Sequence, residues 1–326
     1  MILAPIPPSD PRIVYVGRFD WTDKAAPACE WSASEVRLRV HGPTLLATID
    51  DTNGAAWEKE IDGKDEGLVP LKKGEDTYTI DLGSDSDHVV RLVRRTEAFM
   101  GPTKIKGFET PNGRLLKARP KRRHLEFVGD SITCAYGNEG KRKEEHFKPE
   151  TENAYMSYAS IAARDVDADV TIIAWSGRKM WPDNTTPSIY NKILPNLPGG
   201  PDYDFKGPKP DGVIINLATN DFGRGAPDEA GWTSAYEGFI KRVWSHYPKA
   251  QIYATTGSMM FGANLATLKT YIEKIKSDLH DPRLHSLDFG TQDPNDGYGA
   301  DWHPNITTDE KMGAKLAEAL KHDLGW

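Results

Sequence analysis

Two rhythms of apolar and polar residues divide the chain. Through its first third, apolar and polar residues alternate in short runs at 12–20, 35–41, 44–50, 77–83 and 88–94, broken by clusters of Gly, Asp and Asn. Period-two alternation predicts strands with one buried and one solvated face, assembled as an all-β sandwich or jelly roll. Past residue 120 the rhythm changes. Runs rich in Ile and Val at 124–129, 169–175, 212–217, 251–256 and 284–289 alternate with helix-period segments at 153–166, 228–246, 265–279 and 308–324. Such alternation predicts a parallel sheet covered on both faces by helices. The expected organisation is therefore an all-β domain over residues 1–120 and an α/β domain over residues 121–326.

A length of 326 residues fits two domains of this kind. Apolar residues make up 38% and charged residues 27%, the balance of a globular chain rather than a disordered one. The formal charge of −7 argues against a general nucleic-acid surface, which needs a net basic face. One basic run, Lys117, Arg119, Lys121, Arg122 and Arg123, is read as a solvated linker between the two domains. Cys29 and Cys134 are too few for a disulfide framework and match no metal knuckle, so two free thiols are expected. Residues 1–8 carry neither a basic segment nor a sustained apolar stretch, unlike an intact secretory leader. No window approaches the roughly 20 apolar residues of a membrane span.

In an open α/β sheet, ligands collect beyond the carboxyl ends of the strands, so the chemistry should lie in the segment after each strand. Gly129-Asp130-Ser131-Ile132-Thr133 comes after the first, Ser176-Gly177-Arg178 after the second and Thr219-Asn220-Asp221 after the third; Asp301-Trp302-His303-Pro304-Asn305 precedes the last helix. A serine hydroxyl needs a base within hydrogen-bonding reach and donors for the oxyanion that forms. Ser131 stands at a strand-to-helix turn, where backbone amides point at negative charge. Gly177 leaves its own N–H approachable, Asn220 offers an amide donor, and His303 is the natural base. Asp130 is expected to bond its own turn. The other histidines match no metal-ligand spacing, so no metal is expected.

These four segments resemble the Ser, Gly, Asn and His blocks of the SGNH, or GDSL-type, hydrolases. More narrowly, the stretch from Gly129 to Gly137, the Asp-Trp-His-Pro block and a β domain opening around Val16-Gly17-Arg18-Phe19 resemble carbohydrate esterase family 2. The resemblance implies a β jelly roll fused to a domain that removes acetyl groups from plant polysaccharides, often at the 6-position of hexoses. It implies Ser131 as nucleophile, His303 as base and acid, and the Ser131 and Gly177 amides with the Asn220 side chain as oxyanion donors. No cofactor is implied. The expected partner is an acetylated oligo- or polysaccharide, with no nucleic acid and no membrane, and the protein is expected to act as a monomer. Secretion follows from the resemblance, while a cytoplasmic location stays open.

One position departs from the wider pattern. The Asp expected three residues before the histidine is Ala300, and the nearest acid is Asp301. Either Asp301 orients the imidazole, or a main-chain carbonyl does and Ser131 and His303 act as a dyad. Trp302 and Trp181 are the candidate sugar platforms. The rival readings are an SGNH lipase or thioesterase acting on non-carbohydrate esters, and a carbohydrate-binding protein with secondary esterase activity. The β domain either binds glycan or braces the catalytic loops; its acid-rich, Trp-poor strands favour bracing.

Overall fold

The computed structural model describes residues 5–326; part of the leader reading, at residues 1–4, lies outside them. The chain forms two compact units, one running up to Pro120 and including Lys192–Tyr203, the other comprising Lys121–Asn191 and Asp204–Trp326.

Among the described residues the first unit holds ten strands: β1 (Val14–Val16), β2 (Ala28–Cys29), β3 (Glu35–His41), β4 (Thr44–Asp51), β5 (Ala56–Ile61), β6 (Lys64–Pro70), β7 (Gly74–Asp81), β8 (Asp87–Arg94), β9 (Thr103–Glu109) and β10 (Arg114–Leu116). They make two antiparallel sheets, ordered β1-β3-β8-β5-β6, with β10 also on β3, and β2-β9-β4-β7. Alternation decides which side chains meet. Val36, Leu38 and Val40 of β3, Leu45, Ala47 and Ile49 of β4, and Val90 and Leu92 of β8 share one buried core with Ile105 and Phe108 of β9. Cys29 is buried and free.

The apolar pattern found β3, β4, β7 and β8, but it overextended β1 and missed β2, β5, β6, β9 and β10. In β5 the reason is chemical: Trp57 and Ile61 face the core with Lys59 between them, and the opposite face carries Glu58 and Glu60, buried and ion-paired to Arg95 and Arg91, so no apolar alternation shows. The excursion Lys192–Tyr203, expected in the second domain, is tied into the first unit instead. Its Lys192 carbonyl accepts from Trp31 Nε1 at 3.0 Å, and its Asn196 amide donates to Glu30 at 2.7 Å.

The second unit carries β11 (Arg123–Gly129), α1 (Ser131–Cys134), α2 (Tyr158–Asp165), β12 (Ala168–Ala174), α3 (Thr186–Ile189), β13 (Gly212–Asn216), α4 (Glu229–His246), β14 (Gln251–Thr256), α5 (Gly262–Leu279), β15 (Leu284–Asp288) and α6 (Ile306–Leu324). The five strands pair in parallel in the order β12-β11-β13-β14-β15. Helices α2 and α6 pack together, as do α4 and α5. β11, β12 and β13 are almost wholly buried, which is why they read as continuous apolar runs. The helix expected over 153–166 is split into a short 3-10 turn, Ala154–Met156, and α2, capped by Ser157. Cys134 is buried and forms no disulfide. Among the described residues no helix is long and apolar enough to cross a membrane.

Candidate active site

The strand order sets the site. β11 lies between β12 and β13, so the loops after these three strands converge at one sheet edge. β11 ends at Gly129, where an added Cβ would lie 2.0 Å from Thr133 Oγ1; only glycine allows this tight return. Asp130 caps α1 and accepts from the Ile132 amide at 3.0 Å, the bond within its own turn that was expected of it. Ser131 follows as the first helical residue, whose N–H has no partner inside a helix. The residue is buried, 6% exposed.

His303 Nε2 lies 2.9 Å from Ser131 Oγ. On the other side of the ring, Nδ1 donates to the main-chain carbonyls of Ala300 and Asp301, each at 3.1 Å. Those bonds leave Nε2 as the acceptor facing the hydroxyl. Burial depresses the pKa of His303 below its ordinary value, although the two carbonyls and the Asp301 charge pull the other way. The imidazole also lies against Tyr136, with ring centroids 4.4 Å apart.

Asp301 does not turn to the ring. Its backbone is left-handed at φ 49°, and so is Trp302 at φ 65°, an unusual pair for residues with side chains. This turn sends the Asp301 carboxylate to the Tyr136 hydroxyl at 2.9 Å and His146 Nδ1 at 2.8 Å. Burial opposes its ionisation, but the bonds from His146 and Tyr136 outweigh that and lower its pKa. Ala300, standing where an acid is usual, is completely buried and donates its amide to Gly137 O at 2.9 Å. Its Cβ lies only 2.5 Å from where a Cβ on Gly137 would be, so this position is packed by backbone rather than open to a carboxylate.

The two remaining blocks meet at Asn220. Its Nδ2 donates to Arg178 O at 2.8 Å and lies 3.4 Å from Asp130 Oδ2, linking the loops after β11, β12 and β13. Gly177 has φ 77° and open space where a Cβ would project; conformation rather than crowding selects glycine there. Asn184 holds its carbonyl at 3.2 Å.

Two contributors escaped the sequence reading. Asp221, next to Asn220, accepts from the amides of Met180 and Trp181 and from Trp232 Nε1, at 2.9–3.1 Å. Burial raises its pKa to about 6 despite those donors. Tyr136, inside the quoted Gly129 to Gly137 stretch, supports both the imidazole and Asp301. No pattern in one sequence marks either role. The two tryptophans differ. Trp302 is 51% exposed, with Lys143 Nζ 3.9 Å from its ring centre, whereas Trp181 packs on Gly231, where an added Cβ would lie 2.7 Å from its ring.

Comparison with known proteins agrees with both halves. Residues 15–120 match the family model described as carbohydrate esterase 2 N-terminal, and residues 127–309 match that of the GDSL-like lipase/acylhydrolase family. The chain is 38% identical to the cellulase/esterase CelE of Acetivibrio thermocellus over 97% of its own length, spanning 40% of that larger protein. It is 27% identical to an acetylxylan esterase / glucomannan deacetylase of Cellvibrio japonicus, covering 98% of this chain and 90% of that one. A solved family two carbohydrate esterase from Clostridium thermocellum, in complex with cellohexaose, superposes with a TM-score of 0.93 at 37% identity, covering 96% of this chain and 99% of that one.

Proposed function

The chain belongs to carbohydrate esterase family 2, with a catalytic part of the GDSL-like lipase/acylhydrolase family, and on that premise we propose that it is a serine esterase removing O-acetyl groups from plant polysaccharides through an acyl-enzyme. The observation that carries the reading is the 2.9 Å contact between His303 Nε2 and Ser131 Oγ, with Nδ1 committed to main-chain carbonyls.

Ser131 Oγ attacks the acetyl carbonyl carbon while His303 Nε2 takes its proton. The carbonyl oxygen, now negative, rests on the Ser131 and Gly177 amides and on the Asn220 amide group, which gives up its long 3.4 Å contact with Asp130 to donate. Collapse of this intermediate breaks the bond to the sugar oxygen, which leaves with the proton from His303. A water molecule, deprotonated by the same imidazole, then attacks the acetyl-serine and releases acetate. The depressed pKa of His303 supports this role, because the base must be neutral to accept a proton. The carbonyls of Ala300 and Asp301 orient the ring, so Ser131 and His303 form a dyad and Asp301 stands outside it. Trp302 offers an exposed indole face to a sugar ring; the packed Trp181 is the lesser platform. The acetylxylan esterase / glucomannan deacetylase activity of the Cellvibrio japonicus relative supports an acetylated xylan or glucomannan as substrate.

Acetate release from acetylated xylan and acetylated glucomannan, measured beside aryl acetate and aryl octanoate, tests the proposal. The wild type should release acetate from both polymers and turn over octanoate far more slowly, and Ser131→Ala should do neither. Residual activity of Ser131→Ala, or octanoate turnover equal to acetate, would overturn it.

A further inference from the structure

The basic run at the end of the β unit divides into two parts with different fates. Beyond Pro120, Arg122 is exposed, but Lys121 and Arg123 are consumed by structure. Lys121 pairs with Asp167 at 3.1 Å, and Arg123 donates to Val166 O and covers the Trp326 ring at 4.8 Å. Before Pro120 it is left free. The chain runs on from β10 with Ala118 buried and its amide bound to Arg12 O at 2.9 Å, while Lys117 and Arg119 are exposed to either side. Neither of those two side chains has a carboxylate partner among the described residues.

Lys117 and Arg119 border a groove of about 370 Å³ completed by Ala118, Arg37 and Arg39 of β3, and Val89 of β8. Its lining holds four cationic side chains and no acid, in a chain whose formal charge is −7. The strand arginines are fixed: Arg37 by Glu35 at 2.7 Å and by its bond to Arg119 O at 3.1 Å, Arg39 by Asp87 at 2.9 Å. They form a rigid floor, whereas Lys117 and Arg119 keep their charge for a ligand. Val89 is 39% exposed and supplies an apolar patch beside them.

We infer that this groove is a second carbohydrate site, separate from the catalytic centre, that docks an acidic polysaccharide through its uronate carboxylates. Lys117 and Arg119 meet the carboxylates, and Val89 meets an apolar sugar face. Two free cations on a net-acidic chain suit a sparsely charged glycan better than a nucleic acid, whose binding rests on neutralising many closely spaced phosphates. The choice of a glycan among polyanions rests on the proposed esterase reading; the anion site itself does not. The site would bring acetylated polymers carrying uronate groups to the enzyme in preference to neutral ones.

Binding is measured with the full chain and no catalysis, by affinity electrophoresis and calorimetry against polygalacturonate, glucuronoxylan, neutral glucomannan and a single-stranded DNA oligonucleotide, each at low and raised salt. The expected result is salt-sensitive retention by the two uronate polymers. It should weaken roughly tenfold in the Lys117→Gln/Arg119→Gln double variant, the scale of two exposed ion pairs. Lys104→Gln/Lys106→Gln, which removes equal charge from β9, should bind as the wild type does. Aryl acetate turnover should be the same in all three proteins. Equal retention of neutral and uronate polymers, equal loss in the β9 variant, or tighter binding of DNA would each overturn the inference. Loss of aryl acetate turnover in the wild type would instead count against the esterase reading alone.

Discussion

Each unit of the chain buries a carboxylate completely, and the two end in opposite protonation states. Glu35 of the β unit is 1% exposed and accepts from Arg37 Nε at 2.7 Å and from Arg91 Nε and Nη2 at 3.0 and 2.8 Å. Burial alone would raise its pKa, but the two guanidinium groups pull it down to about 2. Asp309 of the α/β unit is 0% exposed, and its oxygens accept from Asn138 Nδ2 and the Tyr158 amide, both at 3.1 Å. Those donors are neutral, so burial dominates and lifts its pKa to about 8. Partner charge therefore decides the state, and burial only sets the stakes. Glu35 is saturated with counter-ions, whereas Asp309 meets only neutral donors. His303, whose pKa burial depresses, is likewise favoured in the neutral form that a base needs.

The largest expected effect tests whether the neutral imidazole is chemistry rather than structure. His303→Ala should lower kcat on aryl acetate by about 10⁴-fold, the scale seen when a member of such a constellation is removed. Asp301→Ala should lower it by less than about tenfold, because its carboxylate lies on Tyr136 and His146 and the ring is oriented by carbonyls. Equal losses would restore Asp301 to a triad. The acid limb of the rate profile sharpens the point. A depressed His303 pKa means that the working, neutral form persists below pH 6.5 and fails only as pH drops through the lower folded value.

Sequence reading is strongest where residues repeat a chemical order and weakest where geometry turns on a single dihedral angle. Ser131, Gly177, Asn220 and His303 could be named because each stands beside a recognisable element, and the structure brings Ser131 and His303 within 2.9 Å of each other. The orientation of Asp301 could not be named, since two consecutive left-handed residues, Asp301 and Trp302, are not written in composition or period. Strand β5 was illegible because one of its faces buries glutamates matched by arginines far along the chain, and Lys59 interrupts the other. The crossing of Lys192–Tyr203 into the β unit rests on main-chain bonds to Trp31 and Glu30, which no local pattern encodes.

The next effect falls on the charged side of the comparison. Glu35→Gln leaves Arg37 and Arg91 short of a counter-ion and should cost roughly 3–5 kcal/mol of folding stability, the usual result of breaking a buried pair by removing one partner. Denaturant unfolding would read that loss, while kcat of the folded fraction stays at the wild-type value. The pH dependence has a definite sign. A pKa lowered from 4.5 to about 2 contributes stability that is complete above 4.5 and is lost as pH falls through about 2. A cost below about 1 kcal/mol would mean that the ion cluster is replaceable and that counter-ion pairing does not set the two units apart.

The effect with the smallest cost at acid pH, and the one that isolates partner charge, belongs to Asp309. Asp309→Asn keeps the shape and can still accept from the Tyr158 amide, but it turns an N–H toward Asn138 Nδ2, at a cost of about 1 kcal/mol for one lost bond. Because the folded pKa is raised from 3.8 to about 8, the wild-type acid contributes stability that is complete below 3.8 and is gone once pH has risen through about 8. The variant cannot titrate there. The stability gap between wild type and Asp309→Asn should therefore move in favour of the variant between pH 5 and pH 8, on the order of 1 kcal/mol per pH unit, and level off above. Unfolding curves for the two proteins at about pH 5, 6.5, 8 and 9 measure it. A gap that does not change with pH would mean that Asp309 is ionised throughout, and that neutral donors alone can hold a buried carboxylate in its charged form.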